Sequence, residues 1–355
     1  AMKLFQHIPL ITSGAFEHFN FTLKELAVMC GSHNGEQMHM DTVNDILQKI
    51  GLTDSYLKCG AQSPTLKVDL HKLIKSDLKP TQLHNNCSGK HAGFLAYCIY
   101  NKLDPNEYIS PNSELQIEIK KVVSAFYEFP ENELKCGMDG CSAPTFAMPV
   151  YNQAVAFKNL ANPSNSIPDK YKEAASIIIK ACSEFPEMLA GSKRYCTDLI
   201  KNTKGRIIGK TGADGVYCLV DTQTGMGISI KIDDGKMGPQ YQVAQELLDH
   251  LNLISQEIKD SLDSYHEFEL TNFSGNVIGS SIVKKLYDSG ANILATGTRI
   301  EKLDELKSKF NNIKILKFDI SQHEKIEEFI NNATEALGGS LDCIINNAGI
   351  TKDNL

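Results

Sequence analysis

Gly215-Val216-Tyr217-Cys218-Leu219-Val220-Asp221, then Thr222-Gln223-Thr224-Gly225, then Met226-Gly227-Ile228-Ser229-Ile230-Lys231-Ile232 is the stretch that decides the fold of the first two thirds of this chain. Two β-rich runs flank a short polar turn that closes on glycine, the pattern of an antiparallel hairpin. The sequence around it reads as helices. Residues 21–30 are expected to be a helix opened by Thr22, whose hydroxyl suits an N-cap, and Gly31-Ser32-His33-Asn34-Gly35 interrupts it. A second amphipathic helix spans 40–50 and ends at Gly51. Residues 92–103, 114–126, 170–182 and 241–255 also carry helical apolar periodicity. Up to about residue 265 the chain therefore combines helices with an antiparallel sheet, an α+β arrangement.

Beyond residue 280 the rhythm changes. The spacing predicts a helix over 280–289 ended by Gly290, a strand over 292–298 and a helix over 301–310. A strand over 314–320, a helix over 325–337 and a buried-type strand over 341–346 follow. Strands alternating with helices imply βαβ units and a parallel sheet, which makes the chain α/β overall. The expected organisation is one domain over 1–279 and a partial Rossmann-like unit over 280–355, joined through a short turn-rich stretch. Such a partial parallel sheet has faces to cover, so it must dock, remain loose or pair in a homodimer.

Bulk composition excludes several classes. The 355 residues suffice for two or more domains. With 42% hydrophobic and 22% charged residues, disorder is disfavoured. A net charge of −7 gives no basic footprint for nucleic acid or an anionic membrane. No apolar run approaches the roughly 18–20 residues needed to span a bilayer, and the opening residues lack the apolar core of a signal peptide, so a cytoplasmic location is expected. Ten cysteines at irregular spacings, with no CxxC pair, indicate reduced thiols and exclude a zinc ribbon.

Two clusters carry chemistry: Cys87-Ser88-Gly89-Lys90-His91-Ala92-Gly93 and Asp139-Gly140-Cys141. Each places a thiol beside a charged group in a turn-prone setting, and an ammonium favours the thiolate. Two thiolates and a nitrogen from Cys87, Cys141 and Lys90 suit Zn²⁺ with one position open. The bland alternative is a Lys90–Asp139 ion pair flanked by inert thiols. Lys3, Ser32 and Lys210 lie beside turn residues. A serine hydroxyl needs a base to become a nucleophile, and a lysine serves when burial or cations lower its pKa. Gly31-Ser32-His33 and the loop Lys210-Thr211-Gly212-Ala213-Asp214-Gly215 are expected to aim backbone N–H groups at an oxyanion.

Four separated motifs in this order (Val28–Glu36, Cys87–Gly93, Met138–Pro144 and Gly205–Tyr217) resemble the thermolabile, rhizobial-type L-asparaginases, also called asparaginase II. The resemblance covers about residues 1–279, including the segment 272–279. It implies a serine-β-lactamase-like fold and hydrolysis of L-asparagine to aspartate and ammonia. Residue by residue, it implies that Ser32 and Lys210 form one catalytic pair and that Lys3 is the lysine of a Ser-x-x-Lys motif. It further implies that Cys87, Lys90 and Cys141 surround zinc, and that Asp139 and His91 contact the substrate. The motif's serine would fall immediately before Ala1, so the chain is expected to begin inside the motif and to have poor or no activity, a non-catalytic fusion being the alternative.

The remainder resembles the start of a short-chain dehydrogenase/reductase, most closely the 3-oxoacyl-(acyl-carrier-protein) reductases. Ala295-Thr296-Gly297-Thr298-Arg299, Phe318-Asp319-Ile320 and Asn346-Asn347-Ala348-Gly349-Ile350-Thr351 carry the resemblance. It implies NADP as cofactor, with Arg299 at the 2′-phosphate and Asp319 beside the adenine. Asn346, Ala348 and Gly349 would border the cofactor pocket. Ser274–Gly279 only approximates the phosphate-binding turn, and the family's catalytic Tyr-x-x-x-Lys pair would lie beyond Leu355, so an active reductase is not expected.

Overall fold

The computed structural model describes residues 1–266, 278–319 and 322–345. The chain divides into two compact units, residues 1–267 and 268–355. In the first, the expected hairpin forms as β4 (Val216–Asp221) and β5 (Met226–Lys231), with Asp221 opposite Met226. A preceding strand, β3 (Ile207–Thr211), pairs antiparallel with β4 and sets Lys210 opposite Cys218. The order is β3-β4-β5. Asp221, fully buried at the turn, takes two hydrogen bonds from Arg206 at 2.9 and 2.8 Å, one from Thr224 and one from the Gln223 N–H. Those bonds outweigh burial and hold the carboxyl below its usual range. A separate hairpin, β1 (Lys135–Met138) with β2 (Pro144–Ala147), presents the turn Asp139–Ala143.

Helices build the rest of this unit. The helix Leu23–Met29 opens on a full capping box, in which Thr22 accepts from the Glu25 N–H and Glu25 accepts from the Thr22 N–H. The helices Gln37–Lys49, Ser88–Tyr100, Glu114–Tyr127, Asp169–Glu184 and Pro239–His250 match the periodic segments to within a few residues, an ordinary offset at helix ends. The main core gathers Phe5, Phe126, Tyr127 and Phe157 in tilted and edge-to-face contacts. A second core packs Tyr195, Tyr217 and Leu248 under the sheet.

In the second unit, β6 (Leu294–Gly297) and β7 (Lys314–Lys317) pair in parallel, as expected. The helices Ile278–Asp288, Ile300–Lys309 and Ile326–Leu337 also follow the sequence pattern. The core is small: Ile293, Ala295, Leu303 and Ile313. Of the strand expected over 341–346, the described part, 341–345, is not a strand. Residues 341–345 are exposed and irregular, with Ile344 65% and Ile345 48% accessible. An apolar run becomes a strand only where a neighbour takes its hydrogen bonds, and β6 and β7 pair with each other. No helix among the described residues is long and apolar enough to cross a membrane.

The helix Leu23–Met29 touches Ser88–Tyr100 so closely that a Cβ on Gly89 would stand 2.2 Å from the Val28 carbonyl oxygen. Gly89→Ala is therefore expected to lower the stability of the first unit by about 1–3 kcal/mol through overpacking, measured by chemical denaturation. An unchanged midpoint would contradict this packing.

Candidate active site

Ser32 sits just past the helix Leu23–Met29, in a loop fixed from both sides. The Ser32 N–H donates to Leu189 O (2.8 Å), and the His33 N–H donates to Asn86 O (3.3 Å). The Gly31 N–H closes on Val28 O, and the Gly35 N–H donates to His33 Nδ1. These donors are all engaged in shaping the loop, so the expected oxyanion cradle at Gly31-Ser32-His33 does not form. The Gly212 N–H is likewise taken by Val216 O. Tertiary backbone bonds outcompete an open nest because a buried N–H without a partner is costly.

Strand β3 delivers Lys210 to this loop. Its Nζ lies 2.8 Å from Ser32 Oγ and 2.8 Å from Thr211 O. Lys210 is 2% exposed, and burial, with Lys3 and Arg194 adding repulsion, brings its pKa down to about 7. A lysine so placed gives up its proton far more readily than an exposed one, and the neutral amine can accept the Ser32 proton. Lys3 comes from the helix Lys3–Gln6. Its Nζ donates to Gly31 O (2.6 Å) and Asn86 O (3.2 Å), so it braces the loop backbone rather than touching the Ser32 hydroxyl.

The two thiol clusters meet. The Ser88–Tyr100 helix starts at Cys87 and turns Lys90 inward, and the β1–β2 turn brings up Asp139 and Cys141. Ligand atoms of Cys87, Asp139 and Cys141 all lie within 4.8 Å of one another. Lys90 is 1% exposed, and its Nζ donates to Cys141 Sγ (2.9 Å) and Asp139 Oδ2 (3.3 Å). The hydrogen bond from Cys141 holds the Cys87 thiol well below its usual pKa despite burial, with help from Lys3 and Lys90. As donor in that bond, and itself buried, Cys141 is pushed up. Lys90 is raised: burial opposes its charge, but Cys87, Cys141 and Asp139 overcome it. Burial would raise Asp139, yet Lys90, Lys3 and the Gly140 N–H hold it low. The ion-pair alternative and the thiol cluster thus coexist. Two sulfurs and a carboxylate at this separation suit a tetrahedral dication. The dication would also take over the counter-charge that the Lys90 proton supplies.

His91 lies deeper than a substrate contact would. It is fully buried, with Nδ1 2.6 Å from the Tyr108 hydroxyl and its ring against Phe94. Burial pushes it well below its usual pKa, and Nε2 has no partner among the described residues.

A second layer escaped sequence reading. Asn34 donates to Glu36 Oε1 (3.1 Å) and Ser192 O (2.9 Å) and accepts from Arg194 Nη1 (2.8 Å). The Tyr241 hydroxyl lies 3.0 Å from Thr211 Oγ1. Arg194 and Asn34 stand 160 positions apart, and no local pattern encodes such a pair. In the second unit, Thr298, Phe318, Asp319 and Phe329 line a cleft of about 380 Å³. Arg299 and Asp319 follow the carboxyl ends of β6 and β7, whereas Asn346, Ala348 and Gly349 lie outside the described residues.

A family model described as L-asparaginase II matches residues 1–283, and one described as short chain dehydrogenase matches residues 274–355. Among curated proteins, the chain is similar to nodulation protein G of Rhizobium sp. (strain N33), 36% identical over 87 residues, which cover 24% of this chain and 35% of that protein. It is similar to 3beta-hydroxysteroid dehydrogenase 2 of Eggerthella lenta at 35% over 82 residues, covering 22% and 31%. An uncharacterized oxidoreductase of Staphylococcus aureus (strain USA300) is 32% identical over 78 residues, covering 21% and 33%. The chain spans about a third of the length of these curated relatives.

The depressed Lys210 pKa has a stability consequence. The unfolded chain binds this proton up to about pH 10.5 and the folded chain only to about 7. Stability relative to Lys210→Met should therefore rise with pH across that window, by at most about 1.4 kcal/mol per pH unit. Denaturation of both proteins at pH 7, 8 and 9 checks this, and a pH-independent difference would contradict a neutral buried amine.

Proposed function

The chain belongs to the L-asparaginase II family, and from that premise we propose that its first unit hydrolyses L-asparagine through Ser32 and Lys210. The observation that carries this reading is the 2.8 Å approach of a buried, low-pKa lysine to an otherwise ordinary serine. Neutral Lys210 accepts the Ser32 proton as Oγ bonds to the side-chain amide carbon. The Lys210 ammonium then gives that proton to the amide nitrogen as the C–N bond breaks, so the nitrogen departs as ammonia and the acyl group stays on Ser32 as an ester. Water, deprotonated by the same amine, cleaves the ester to aspartate and restores the hydroxyl. Lys3 holds the Gly31 and Asn86 carbonyls, which fixes the loop and adds positive potential where negative charge develops. We read the β3-β4-β5 sheet and its helices as the serine-β-lactamase-like fold of this chemistry.

Cys87, Cys141 and Lys90, the last as a neutral amine once the dication displaced its proton, would hold a zinc ion, with the Asp139 carboxylate completing the set. When bound, zinc would act as a Lewis acid and fixed positive charge at the edge of the substrate site. The free thiols of this chain fit a reducing compartment such as the cytoplasm.

A second reading concerns the other unit. The cleft beside Phe318 and Asp319, at the carboxyl ends of two parallel strands, is where a partial Rossmann unit would take a dinucleotide such as NADP. Enhanced or quenched NADPH fluorescence on addition of the protein supports it; an unchanged signal contradicts it.

Ammonia release from L-asparagine tests the main reading. Ser32→Ala and Lys210→Met should each reduce kcat/KM about 10³-fold or more. For the unsubstituted chain, kcat/KM should rise with pH through about 7 as Lys210 loses its proton. Equal rates in Ser32→Ala would overturn the assignment. Zinc content should approach one equivalent per chain and fall in Cys87→Ser and Cys141→Ser, while Cys136→Ser, an exposed thiol, retains it. Equal zinc in all three variants would exclude this thiol pair as the metal site.

A further inference from the structure

The cations around Ser32 are unevenly matched. Lys90 has Asp139 as ion partner, and Lys3 donates to the Gly31 and Asn86 carbonyls. Among the described residues, neither Lys210 nor Arg194 has a carboxylate within 4.0 Å. Arg194 is half-buried and spans the two segments that build the site. Its Nη1 donates to Oδ1 of Asn34, two residues beyond Ser32. On its other side stands Tyr241, whose hydroxyl contacts Thr211, the residue after Lys210. Glu36, the acid nearest Ser32 in sequence, is engaged by the Ser192 N–H and Asn34 Nδ2, and Asp198, the acid nearest Arg194, accepts from the Tyr265 hydroxyl. Arg194 also occupies the N-cap of the helix Tyr195–Asn202, and no side chain caps that end, so the helix adds to the positive potential. The bond to Asn34 and the hydrogen bond to the Tyr241 hydroxyl fix the fork, and a guanidinium, with five N–H donors, keeps others on the same planar group.

We infer that Arg194, oriented by Asn34 and flanked by Tyr241, binds the carboxylate of the amide substrate and makes the site select small amides that carry a negative charge. The inference rests on the Ser32–Lys210 amidohydrolase reading and adds the group that the substrate must bear besides its amide. A carboxylate there supplies the anion that the Arg194–Lys210 side lacks. A bidentate guanidinium contact also fixes the distance from that carboxylate to the reacting carbonyl.

Two substrates separate the outcomes: L-asparagine and its α-amide, which has lost the carboxylate charge. The full chain should prefer L-asparagine by about 100-fold or more in kcat/KM, because a site built for an anion rejects its neutral analogue. Arg194→Met should shrink that preference below about tenfold, mainly by raising KM for L-asparagine, and Arg194→Lys should fall between the two. An unchanged preference in a folded Arg194→Met protein would overturn the inference, as would a full chain with no preference. Should Arg194→Met fail to fold, Arg194→Lys decides: a preference equal to that of the unsubstituted chain overturns the assignment. Absence of ammonia release from the unsubstituted chain would count against the amidohydrolase reading instead. Calorimetric titration with L-aspartate then judges Arg194 alone: binding that weakens tenfold or more in Arg194→Lys supports the site, and no binding to the unsubstituted chain or equal binding in both refutes it.

Discussion

The site depends on one constraint: Lys210 is buried with no carboxylate to balance it among the described residues. A lysine in that position either loses its proton or destabilises the fold. Strand pairing leaves it no exit, since Lys210 sits mid-ladder opposite Cys218 and its Nζ is held by Thr211 O and Ser32 Oγ. The resulting low pKa turns an amine into a base. Serine chemistry then needs only a rigid loop, and the contacts of Ser32 with Leu189 O, of His33 with Asn86 O and of Lys3 with Gly31 O supply it.

The thiol corner uses the opposite balance. There, Lys90 is matched by Asp139 and by sulfurs of which one, Cys87, is biased to ionise. Anions gather on the Cys87–Cys141 side, whereas Lys210 and Arg194 have no carboxylate partner among the described residues. A polar small molecule with an anionic end and an amide end meets an oriented field rather than a uniform pocket. The close approach of the helices at Gly89 and Val28 keeps the two sides in register, because it joins the helix carrying Lys90 to the helix that leads into Ser32.

Much of this was legible in the sequence for physical reasons. Alternating β-rich runs around Thr222–Gly225 became β4 and β5, and Thr22 with Glu25 wrote a helix start that the fold keeps. Lys210 meets Ser32, and Lys90 meets Cys141 and Asp139 beside Cys87. Three features were not legible. Backbone donors at Gly31–His33 looked free in a glycine-bearing loop, but distant carbonyls take them. His91, adjacent to Lys90, points into the core because neighbouring helix positions face different directions. The apolar run at 341–345 resembled a strand, yet strand identity belongs to a pair and not to a segment.

The central claim is that Ser32 becomes acylated. Rapid acid quench of the full chain with L-asparagine, followed by peptide mass mapping, tests it most directly. An aspartyl ester on the peptide containing Ser32, absent from Ser32→Ala, is the predicted result. Ammonia release with no ester on that peptide, or an ester on another residue that persists in Ser32→Ala, would contradict it.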